Sequence, residues 1–410
     1  MAALLSPATV VDHSLVRHTS MATFIVYISL FLFLMYAALI LYYRQAWISM
    51  PLYDATFATI PRTKITVIIP ARNEEENIRL CLDSVCGQSY PAHLCEIIVI
   101  DDHSTDDTAE IIRSFAGQNV KLLSLIEYIA GDALNSYKKK AIEIAVQQAS
   151  GELIVTTDAD CIAPTYWLET IAAFYEQHHA ALIAAPVVID CRANFLQVFQ
   201  ALDFMTLQGI TGASVYKKLH SMCNGANLAY EKKVFMEVEG FKGIDAIASG
   251  DDMLLMHKIA KKYPERVLFL KSQKAIIRTQ PVNSLSAFLN QRIRWASKAD
   301  KYEDKTILPV LMIVYFFNVT LLLIPFLQIF IANRANLFSF EFNIIEWWLL
   351  LLGLKTIIEL IFLYPVSVLF SKKRLLWVFP LMGPFHILYT VVAGWLGKFG
   401  TYNWKGRKVK

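Results

Sequence analysis

The sequence lacks a glycine-rich phosphate loop, closely paired cysteines and the usual share of charged residues. Neither a P-loop nor a dinucleotide-binding fingerprint follows any of the expected strands. The six cysteines are scattered without the spacing of a zinc site, so free thiols in a reducing compartment are expected. Charged residues make up only 18% of the chain, and a net charge of +4 without a long basic stripe argues against nucleic-acid binding.

Apolar residues are abundant instead, at 55% of the chain, and they are concentrated near the N-terminus and after Lys305. Residues 24–43 form an apolar run that ends at Arg44 and is long enough to cross about 30 Å of hydrocarbon. The run is longer than a signal-peptide core and follows few positive charges, so a retained anchor is expected rather than a cleaved signal. Further apolar stretches lie at 307–332, 344–370 and 375–396.

The basic residues beside these stretches indicate an orientation. The loop 371–374 reads SKKR, and such loops favour the cytoplasmic side. A first anchor that runs from outside to inside would place the middle of the chain on that side as well. The tail holds Lys405, Arg407, Lys408 and Lys410, which fits either an anchor to anionic headgroups or a disordered, soluble end.

The last apolar stretch conflicts with this orientation, because a full span would put the basic tail outside. It contains Pro380, Gly383 and Pro384, which can break a helix. We therefore expect 375–396 to form a re-entrant or interfacial hairpin that leaves the C-terminus inside. In the third stretch, Lys355 and Glu359 are one helical turn apart. They either carry a function inside the membrane or simply satisfy each other.

The predicted organisation has six parts. These are an N-terminal segment (1–22), a transmembrane anchor (23–44), a linker (45–63), a cytoplasmic domain (64–300), a membrane region (301–397) and a basic tail (398–410). The protein is thus expected to be integral to an inner or plasma membrane, with lipids as partners.

The middle domain alternates strand-like and helix-like segments, which predicts an α/β fold with a mostly parallel sheet. Ligands of such sheets bind beyond the carboxyl ends of the strands. The expected strands are 65–69, 96–100, 121–126 and 153–157, and the expected helices are 74–86, 105–115, 138–149 and 253–260.

Two expected strands end in acidic clusters, Asp101-Asp102 and Asp158-Ala159-Asp160. Parallel strands bring both clusters to one edge of the sheet, and alternate residues of an extended segment point the same way. Carboxylate oxygens suit Mg²⁺ or Mn²⁺ that bridges a diphosphate. A solvated turn with Asp160 as a helix cap is the simpler alternative.

Two further motifs carry candidate chemistry. Asp251 and Asp252 open an apolar helix, where the macrodipole favours an ionised base, although a plain helix cap explains one of them. Gln291, Arg294 and Trp295 share one helix face, where arginine can hold a diphosphate and tryptophan can stack on a sugar. An interfacial helix explains the same three residues equally well.

Taken in order, these pieces of sequence resemble the family-2 inverting glycosyltransferases with the GT-A fold, in which a Rossmann-like sheet is flanked by helices. The resemblance covers about 64–298. Its QxxRW signature is similar to the membrane-embedded branch, which includes cellulose, hyaluronan and chitin-oligosaccharide synthases and ceramide glucosyltransferases. The matching pieces are VIIPARNE (67–74), VIDDHSTD (99–106), DAD (158–160), GDD (250–252) and QRIRW (291–295).

The resemblance implies a role for each matched residue. Asp252 would be the general base, with Asp251 where the family usually has glutamate, so which aspartate acts stays open. Asp158 and Asp160 would hold the metal. Donor contacts would come from Pro70, Ala71, Glu74, Asp101, Asp102, Lys138 or Lys139, Asp158, Gln291 and Arg294, and acceptor contacts from Asn224, Gly225, Asn227 and Trp295.

The implied reaction is metal-dependent, inverting transfer of a sugar from a nucleotide diphosphate sugar, with UDP as the expected nucleotide. Mg²⁺ or Mn²⁺ would be the cofactor. A lipid or lipid-linked hydroxyl acceptor, or a growing glycan, would be the second substrate. A processive polysaccharide synthase is the alternative within this class. A catalytically inactive nucleotide-sugar sensor or scaffold is the alternative outside it.

Overall fold

A computed structural model of the protein shows an α/β domain joined to long apolar helices. Where the chain is described, secondary structure and contacts can be assigned residue by residue. The described residues are 13–55, 61–129, 136–191, 194–219, 222–245, 247, 250–297, 305–329, 334–337, 340–399, 402–404 and 407–409. Parts of the predicted N-terminal segment, linker and basic tail, and the end of the stretch 307–332, lie outside these residues.

The strands of the domain come largely from runs of β-branched and apolar residues, which favour a pleated, buried surface. The described strands are β1 (Ile65–Ala71), β2 (Cys95–Asp101), β3 (Val120–Ser124), β4 (Leu153–Thr156), β5 (Cys161–Ile162), β6 (Leu182–Ala184), β7 (Val187–Ile189), β8 (Leu228–Glu231), β9 (Val267–Phe269), β10 (Ile277–Thr279), β11 (Arg334–Leu337), β12 (Phe340–Asn343), β13 (Tyr402–Trp404) and β14 (Arg407–Val409).

The helices cover both faces of this sheet and extend beyond it. The described α-helices are α1 (His13–Ser49), α2 (Ile78–Cys86), α3 (Thr108–Arg113), α4 (Tyr137–Gln148), α5 (Trp167–His178), α6 (Phe195–Tyr216), α7 (Lys232–Glu237), α8 (Asp251–Lys262), α9 (Leu285–Ala296), α10 (Ile307–Leu327), α11 (Ile344–Leu369) and α12 (Phe379–Phe399).

The main sheet has the order β3-β2-β1-β4-β8-β6-β9, and only β8 runs antiparallel to its neighbours. A smaller sheet, β5-β10-β7, lies beside it. Pro70 is accommodated inside β1 because β1 pairs with β4 only as far as Ile68, so its missing N–H lies beyond that ladder. This mostly parallel, helix-flanked sheet confirms the predicted α/β fold.

Two helices begin about one turn later than predicted. At both predicted starts, side chains accept hydrogen bonds from backbone N–H groups, and this competes with helical hydrogen bonding. The helix expected at 74 begins at Ile78, since the backbone N–H of Glu74 donates to Thr108 Oγ1 (2.8 Å). The helix expected at 105 begins at Thr108, where Asp106 accepts the backbone N–H and the hydroxyl. The other predicted elements lie within a few residues of their expected bounds.

Four helices among the described residues are long and apolar enough to span a membrane: Met21–Ser49 within α1, then α10, α11 and most of α12. The hairpin expected at 375–396 was wrong, because α12 is one continuous helix. Pro380 falls in its first turn, where an N–H has no helical partner, and Pro384 is carried inside the helix.

The C-terminal end of α12 nevertheless lies against the domain. A Cβ on Gly397 would come within 3.0 Å of the backbone of Ala296 and Ser297 at the end of α9. Tyr389, about two turns before Gly397 in α12, packs its ring on Phe288 of α9. The two helices therefore run side by side, and α12 stays in contact with the domain along much of its length.

The domain is also joined closely to α1 and α11 through α6. A Cβ on Gly209 of α6 would lie 2.7 Å from Val366 and 2.9 Å from Phe362 of α11, so glycine permits this close approach. Lys271, in the loop after β9, donates to the carbonyls of Trp47 and Met50 at the end of α1 (2.6 and 2.8 Å). The domain and the membrane helices thus share one packed interface.

The predicted ion pair inside α11 is confirmed. Lys355 Nζ lies 2.6 Å from Glu359 Oε1, and both side chains are buried. Tyr36 of α1 donates its hydroxyl to the same oxygen (2.5 Å). The pair therefore links α11 to α1. Each charged group is the partner of the other, and this offsets the free-energy cost of burying charges at this depth.

Candidate active site

The acidic clusters meet at the carboxyl edge of the main sheet. Ala71 at the end of β1 pairs with Asp101 at the end of β2, and Ile68 of β1 pairs with Thr156 at the end of β4. Asp158 lies two residues after the end of β4. Because these three strands are parallel, their ends and the carboxylates that follow lie along one edge.

Lys138 joins two of the acidic elements at this edge. Its Nζ lies 2.8 Å from Asp158 Oδ1 and 3.3 Å from Asp251 Oδ2. Burial lowers the pKa of Lys138, but the charges of Asp158 and Asp251 outweigh burial and raise it. The amine therefore stays charged between the two carboxylates, where it could also meet a bound phosphate.

Asp160 is the more protected carboxylate of the DAD motif. Thr279 of β10 donates its hydroxyl to Oδ2 (3.2 Å), and the Cys161 thiol contacts Oδ1 (3.6 Å). Burial and the charges of Asp158 and Glu74 raise the pKa of Asp160 to about 6. Repulsion among neighbouring carboxylates is the condition that a bound cation relieves.

These carboxylates fit one side of a divalent cation site. Mg²⁺ and Mn²⁺ take oxygen ligands, and Mg²⁺ is usually held by one or two carboxylates together with substrate phosphates and water. Across the described part of the chain, no three His, Cys, Asp or Glu side chains converge as a complete protein cage. Asp158 and Asp160 would therefore hold the ion only together with ligands from a substrate or from water.

Asp252 is fixed at the start of α8 by backbone donors. Gly250 adopts a left-handed conformation (φ 83°) that turns the chain into the helix. Asp252 Oδ2 accepts from the N–H of Gly225 (3.0 Å), and Oδ1 accepts from Met253 (2.7 Å). These donors fix the orientation of both carboxylate oxygens.

The loop that holds Asp252 is tied to the end of β4. Thr156 donates its hydroxyl to the carbonyl of Gly225 (2.9 Å), while the N–H of Gly225 reaches Asp252. Asn224 accepts from the N–H of Ala226 and so shapes the same turn. Asp252 and the DAD motif are thereby held at one edge through backbone contacts of this loop.

Asn227 and Lys139, both named from the sequence, use their side chains in the protein interior. Asn227 is fully buried, accepts from the Trp167 indole (2.9 Å) and donates to the carbonyls of Pro186 and Ala275. Its amide is used by the protein core, so its predicted acceptor contact is replaced by a structural role.

Lys139 also faces away from the acidic edge. Its Nζ donates to the carbonyls of Ile244 (2.7 Å) and Ile247 (2.6 Å), and the side chain is buried. Of the two candidate lysines, only Lys138 lies among the carboxylates. Lys139 instead holds part of the segment that leads to Gly250, so its predicted donor contact is corrected to an anchoring contact.

The residues expected around the nucleoside line the ends of β1 and β2. Asp101 accepts from the N–H of Ser104 (3.2 Å), and Asp102 contacts His103 (2.9 Å) and Arg72 (3.7 Å). Glu74 accepts from Asn77 (3.0 Å). Pro70 and Ala71 form the last two positions of β1, so this set surrounds the β1 and β2 ends.

The QRIRW segment lies on α9, and its contacts run to α6 and α12. Trp295 packs at 6.0 Å from the Phe204 ring of α6, and Gln291 accepts from Arg292 (2.8 Å). Arg294 is partly exposed. In the described part of the chain, no hydrogen bond or ion pair joins Gln291, Arg294 or Trp295 to the DAD motif or to Asp252.

Sequence reasoning missed Arg292 and its partner Asp203. Arg292 occupies a variable position of the QxxRW pattern, yet it is buried and bonded to Asp203 of α6 (2.6 Å). An aspartate inside the otherwise apolar helix 195–216 was the available signal, because an isolated buried charge requires a partner.

Family profiles now place the chain. The profile described as Glycosyl transferase family 2 matches residues 66–239, and that described as Glycosyl transferase family group 2 matches residues 153–396. The second match covers more than half of the chain. This protein belongs to the family-2 glycosyltransferases. The family and the GT-A-like fold expected from the ordered motifs are therefore confirmed.

Individual relatives align over limited regions. Glycosyltransferase AglE of Haloferax volcanii is 38% identical over 105 residues, 26% of this chain and 33% of the relative. Beta-monoglucosyldiacylglycerol synthase of Synechocystis is 26% identical over 125 residues, 30% of this chain and 26% of the relative. The chain thus spans about a quarter to a third of the length of these two relatives.

A solved structure shares the fold over nearly the whole chain. The mannosyltransferase PcManGT from Pyrobaculum calidifontis, in complex with GDP-Man and Mn²⁺, has a TM-score of 0.54 at 17% identity. The superposition covers 92% of this chain and 99% of that one. At this identity the similarity establishes the GT-A-like architecture.

Proposed function

We propose that this glycosyltransferase moves a sugar, with inversion, from a nucleotide diphosphate sugar to a hydroxyl group presented at the cytoplasmic face of a membrane. The observation that carries the proposal is the position of Asp252. Its carboxylate is held by two backbone N–H groups at the start of α8, beside the acidic edge that contains Asp158 and Lys138. A carboxylate held in that place is suited to accept a proton from an attacking hydroxyl.

The donor would lie along the ends of β1, β2 and β4. Pro70, Ala71 and Glu74 would line the nucleoside pocket, and Asp101 or Asp102 would contact the base. A UDP-sugar is the donor that we test first. The GDP-Man complex of PcManGT supports a nucleotide sugar as the donor class.

Lys138 and Arg294 would contact the diphosphate. Lys138 is charged and already lies between two carboxylates, so a phosphate oxygen could exchange with Asp158 as its partner. Asp158 and Asp160 would hold Mg²⁺ or Mn²⁺ against the same diphosphate. Such an ion, when bound, neutralises charge on the leaving group. The Mn²⁺ in the PcManGT complex supports this assignment.

Proton transfer would be the task of Asp252. The acceptor hydroxyl would approach the anomeric carbon from the face opposite the nucleotide, and Asp252 would take its proton during attack. Configuration at the anomeric carbon would invert because one direct displacement occurs. Asp251 is engaged by Lys138 at 3.3 Å, which favours Asp252 as the base and leaves Asp251 to position Lys138.

The packing of the domain on the membrane helices supports a membrane-presented acceptor. Gln273 Nε2 donates to the carbonyl of Leu369 at the end of α11 (3.1 Å), and Lys372 Nζ lies 4.0 Å from Asp190. The basic loop 371–374 therefore adjoins the domain, so both would lie on the cytoplasmic side by the positive-inside rule. The name of the Synechocystis relative indicates a glycolipid product, which is consistent with a lipid acceptor here.

The test uses purified full-length protein in lipid nanodiscs with Mn²⁺ and a panel of radiolabelled nucleotide sugars. We expect label from one donor to enter the organic lipid extract, with release of the nucleoside diphosphate. Label that enters only a high-molecular-mass polymer would contradict single transfer and favour a processive synthase. Binding of a donor without transfer or hydrolysis would instead favour a sensor or scaffold.

A further inference from the structure

We propose that Arg292, Asp203 and Tyr389 form a positioning unit that fixes Gln291 and Trp295 and makes their placement depend on α12. The inference rests on the proposed function, because it assigns a task to residues beside the expected acceptor site. Three helices contribute to it: α9 supplies the arginine, α6 the aspartate and α12 the tyrosine.

Arg292 directly contacts two of the three signature side chains of α9, Gln291 and Trp295. Its guanidinium carbon lies 4.2 Å from the centre of the Trp295 ring and 4.6 Å from that of Phe288. Nη1 donates to Gln291 Oε1 (2.8 Å). A planar guanidinium between two rings constrains them more than a lysine amine could, because it offers a flat face and fixed donors.

Asp203 fixes the orientation of that guanidinium. Its Oδ2 accepts from Nε (3.0 Å) and Nη2 (2.6 Å) of Arg292. Both side chains are nearly inaccessible, at 4% and 3% exposure. The next residue of α6, Phe204, packs against Trp295. One short stretch of α6 therefore contacts Trp295 directly and also through Arg292.

Tyr389 brings α12 into the unit. Its hydroxyl donates to Asp203 Oδ1, the oxygen that Arg292 leaves unused. Its ring packs on Phe288 and on Phe199 of α6. His386, one turn earlier on α12, places Nε2 3.9 Å from the same carboxylate oxygen. The Asp203 carboxylate is thus shared between the α9 arginine and polar groups of α12.

Holding three helices together through a buried ion pair carries a desolvation penalty. A buried ion pair stabilises a fold little better than apolar side chains of the same volume, since both charges lose water. What it adds is direction, because Nε and Nη2 of Arg292 converge on Oδ2 of Asp203 while Tyr389 holds Oδ1. The buried charges of Arg292 and Asp203 therefore serve to position the side chains of Gln291 and Trp295, and not only to stabilise the fold.

A displacement of α12 should therefore change the environment of the Trp295 side chain. Among the described residues no ring contact joins Tyr389 to Trp295, and the polar link between them runs through Asp203 and Arg292. A change at Tyr389 is therefore expected to alter the Trp295 environment while the donor edge at Asp158 and Asp160 stays unchanged. Gly397 beside Ala296 provides a second contact that couples the two helices.

The test compares Tyr389→Phe and Arg292→Lys with the wild type in nanodiscs. Activity is measured with the donor found to be used, as kcat and as KM for each substrate. We expect kcat to fall by about tenfold to a hundredfold in both variants, as for small misplacement of a positioning group. Tyr364→Phe, at an exposed tyrosine of α11, is the matched control with unchanged kcat.

A second readout does not depend on catalysis. The protein is labelled with 5-fluorotryptophan, and the Trp295 ¹⁹F resonance among the eight tryptophans is assigned with Trp295→Phe. In Tyr389→Phe this resonance should shift or broaden. An unchanged Trp295 resonance would overturn the proposal, as would an unchanged kcat in an active enzyme. An inactive wild type would instead count against the proposed function, and the resonance would still decide the positioning claim.

Discussion

Lys138 and Asp158 are paired across the acidic edge of the sheet, with Nζ 2.8 Å from Oδ1. The pair joins the first turn of α4 to a residue that lies two positions after β4. Asp251 contacts the same amine, so a single cation connects the DAD motif with the start of α8. The contact places a positive charge among clustered carboxylates, which reduces the repulsion between them.

Replacing Lys138 should weaken donor binding without unfolding the protein. In Lys138→Met we expect the donor Kd to rise by about tenfold or more, since a charge-assisted hydrogen bond contributes about 1.5–3 kcal/mol. The measurement is isothermal titration with the nucleoside diphosphate and Mn²⁺. Lys261→Met, at an exposed position on α8, serves as the control and should bind normally.

The neighbouring Lys139 should behave in the opposite way. Lys139→Met leaves the carbonyls of Ile244 and Ile247 without their donor, which costs about 1–3 kcal/mol of stability for each buried acceptor left unsatisfied. We expect a lower thermal midpoint in scanning fluorimetry. The prediction fails if Lys139→Met keeps wild-type stability and loses only donor affinity.

If Asp160 is a metal ligand, replacing it should impair metal binding specifically. Asp160→Asn removes one carboxylate charge while Asn can still accept from Thr279. We expect Mn²⁺ with UDP to raise the thermal midpoint of the wild type, and this increase to disappear in the variant. Asp83→Asn, on the exposed side of α2, should respond to Mn²⁺ as the wild type does. Equal Mn²⁺ responses in all three proteins would contradict the assignment.

The buried pair in α11 should matter through stability. Glu359→Gln or Lys355→Met alone leaves one buried charge unpaired, which costs about 3–5 kcal/mol. The double variant should recover much of that loss, since it buries neither charge. Thermal unfolding of the four proteins in one detergent gives the coupling between the two positions. Additive losses in the double variant would show that the pair is not a unit.

Glu96 should make the domain sensitive to acid. Burial raises its pKa, but hydrogen bonds from the N–H of Ser150 and from Thr66 outweigh burial and lower it. A lowered folded-state pKa means that stability is present above the ordinary value near 4.5 and is lost as the pH falls through the folded value. In Glu96→Gln the unfolding midpoint should therefore depend less on pH between about 3 and 5. An unchanged pH dependence would contradict this role for Glu96.

Much of the fold could be predicted from local sequence. β1, β2 and β4 contain apolar runs, and β2 and β4 lead into acidic residues, so their identity and the edge that they share followed from pattern alone. The antiparallel β8 and the order of the distant strands could not be predicted, because non-local pairing sets them. α12 was misjudged because proline weakens a helix only where it removes a needed bond, and Pro380 lies in the first turn.

The residue types of the site could be predicted from the sequence, but the directions in which their side chains point could be predicted less well. Lys138 and Lys139 are adjacent on α4, and the helix turns one to the carboxylates and the other to a backbone loop. Asn227 carries the same polar group as Asn224, yet burial commits its amide to core carbonyls. Such differences depend on packing between elements, which a single sequence does not reveal.

The central claim is that Asp252 acts as the base for sugar transfer at the membrane. The most direct measurement is single-turnover transfer of label from the nucleotide sugar into lipid by Asp252→Asn, with the donor Kd determined on the same sample. We predict a loss of about 10²- to 10⁴-fold in rate, the range for a missing general base, with donor affinity close to wild type. Transfer by Asp252→Asn at the wild-type rate would contradict the account.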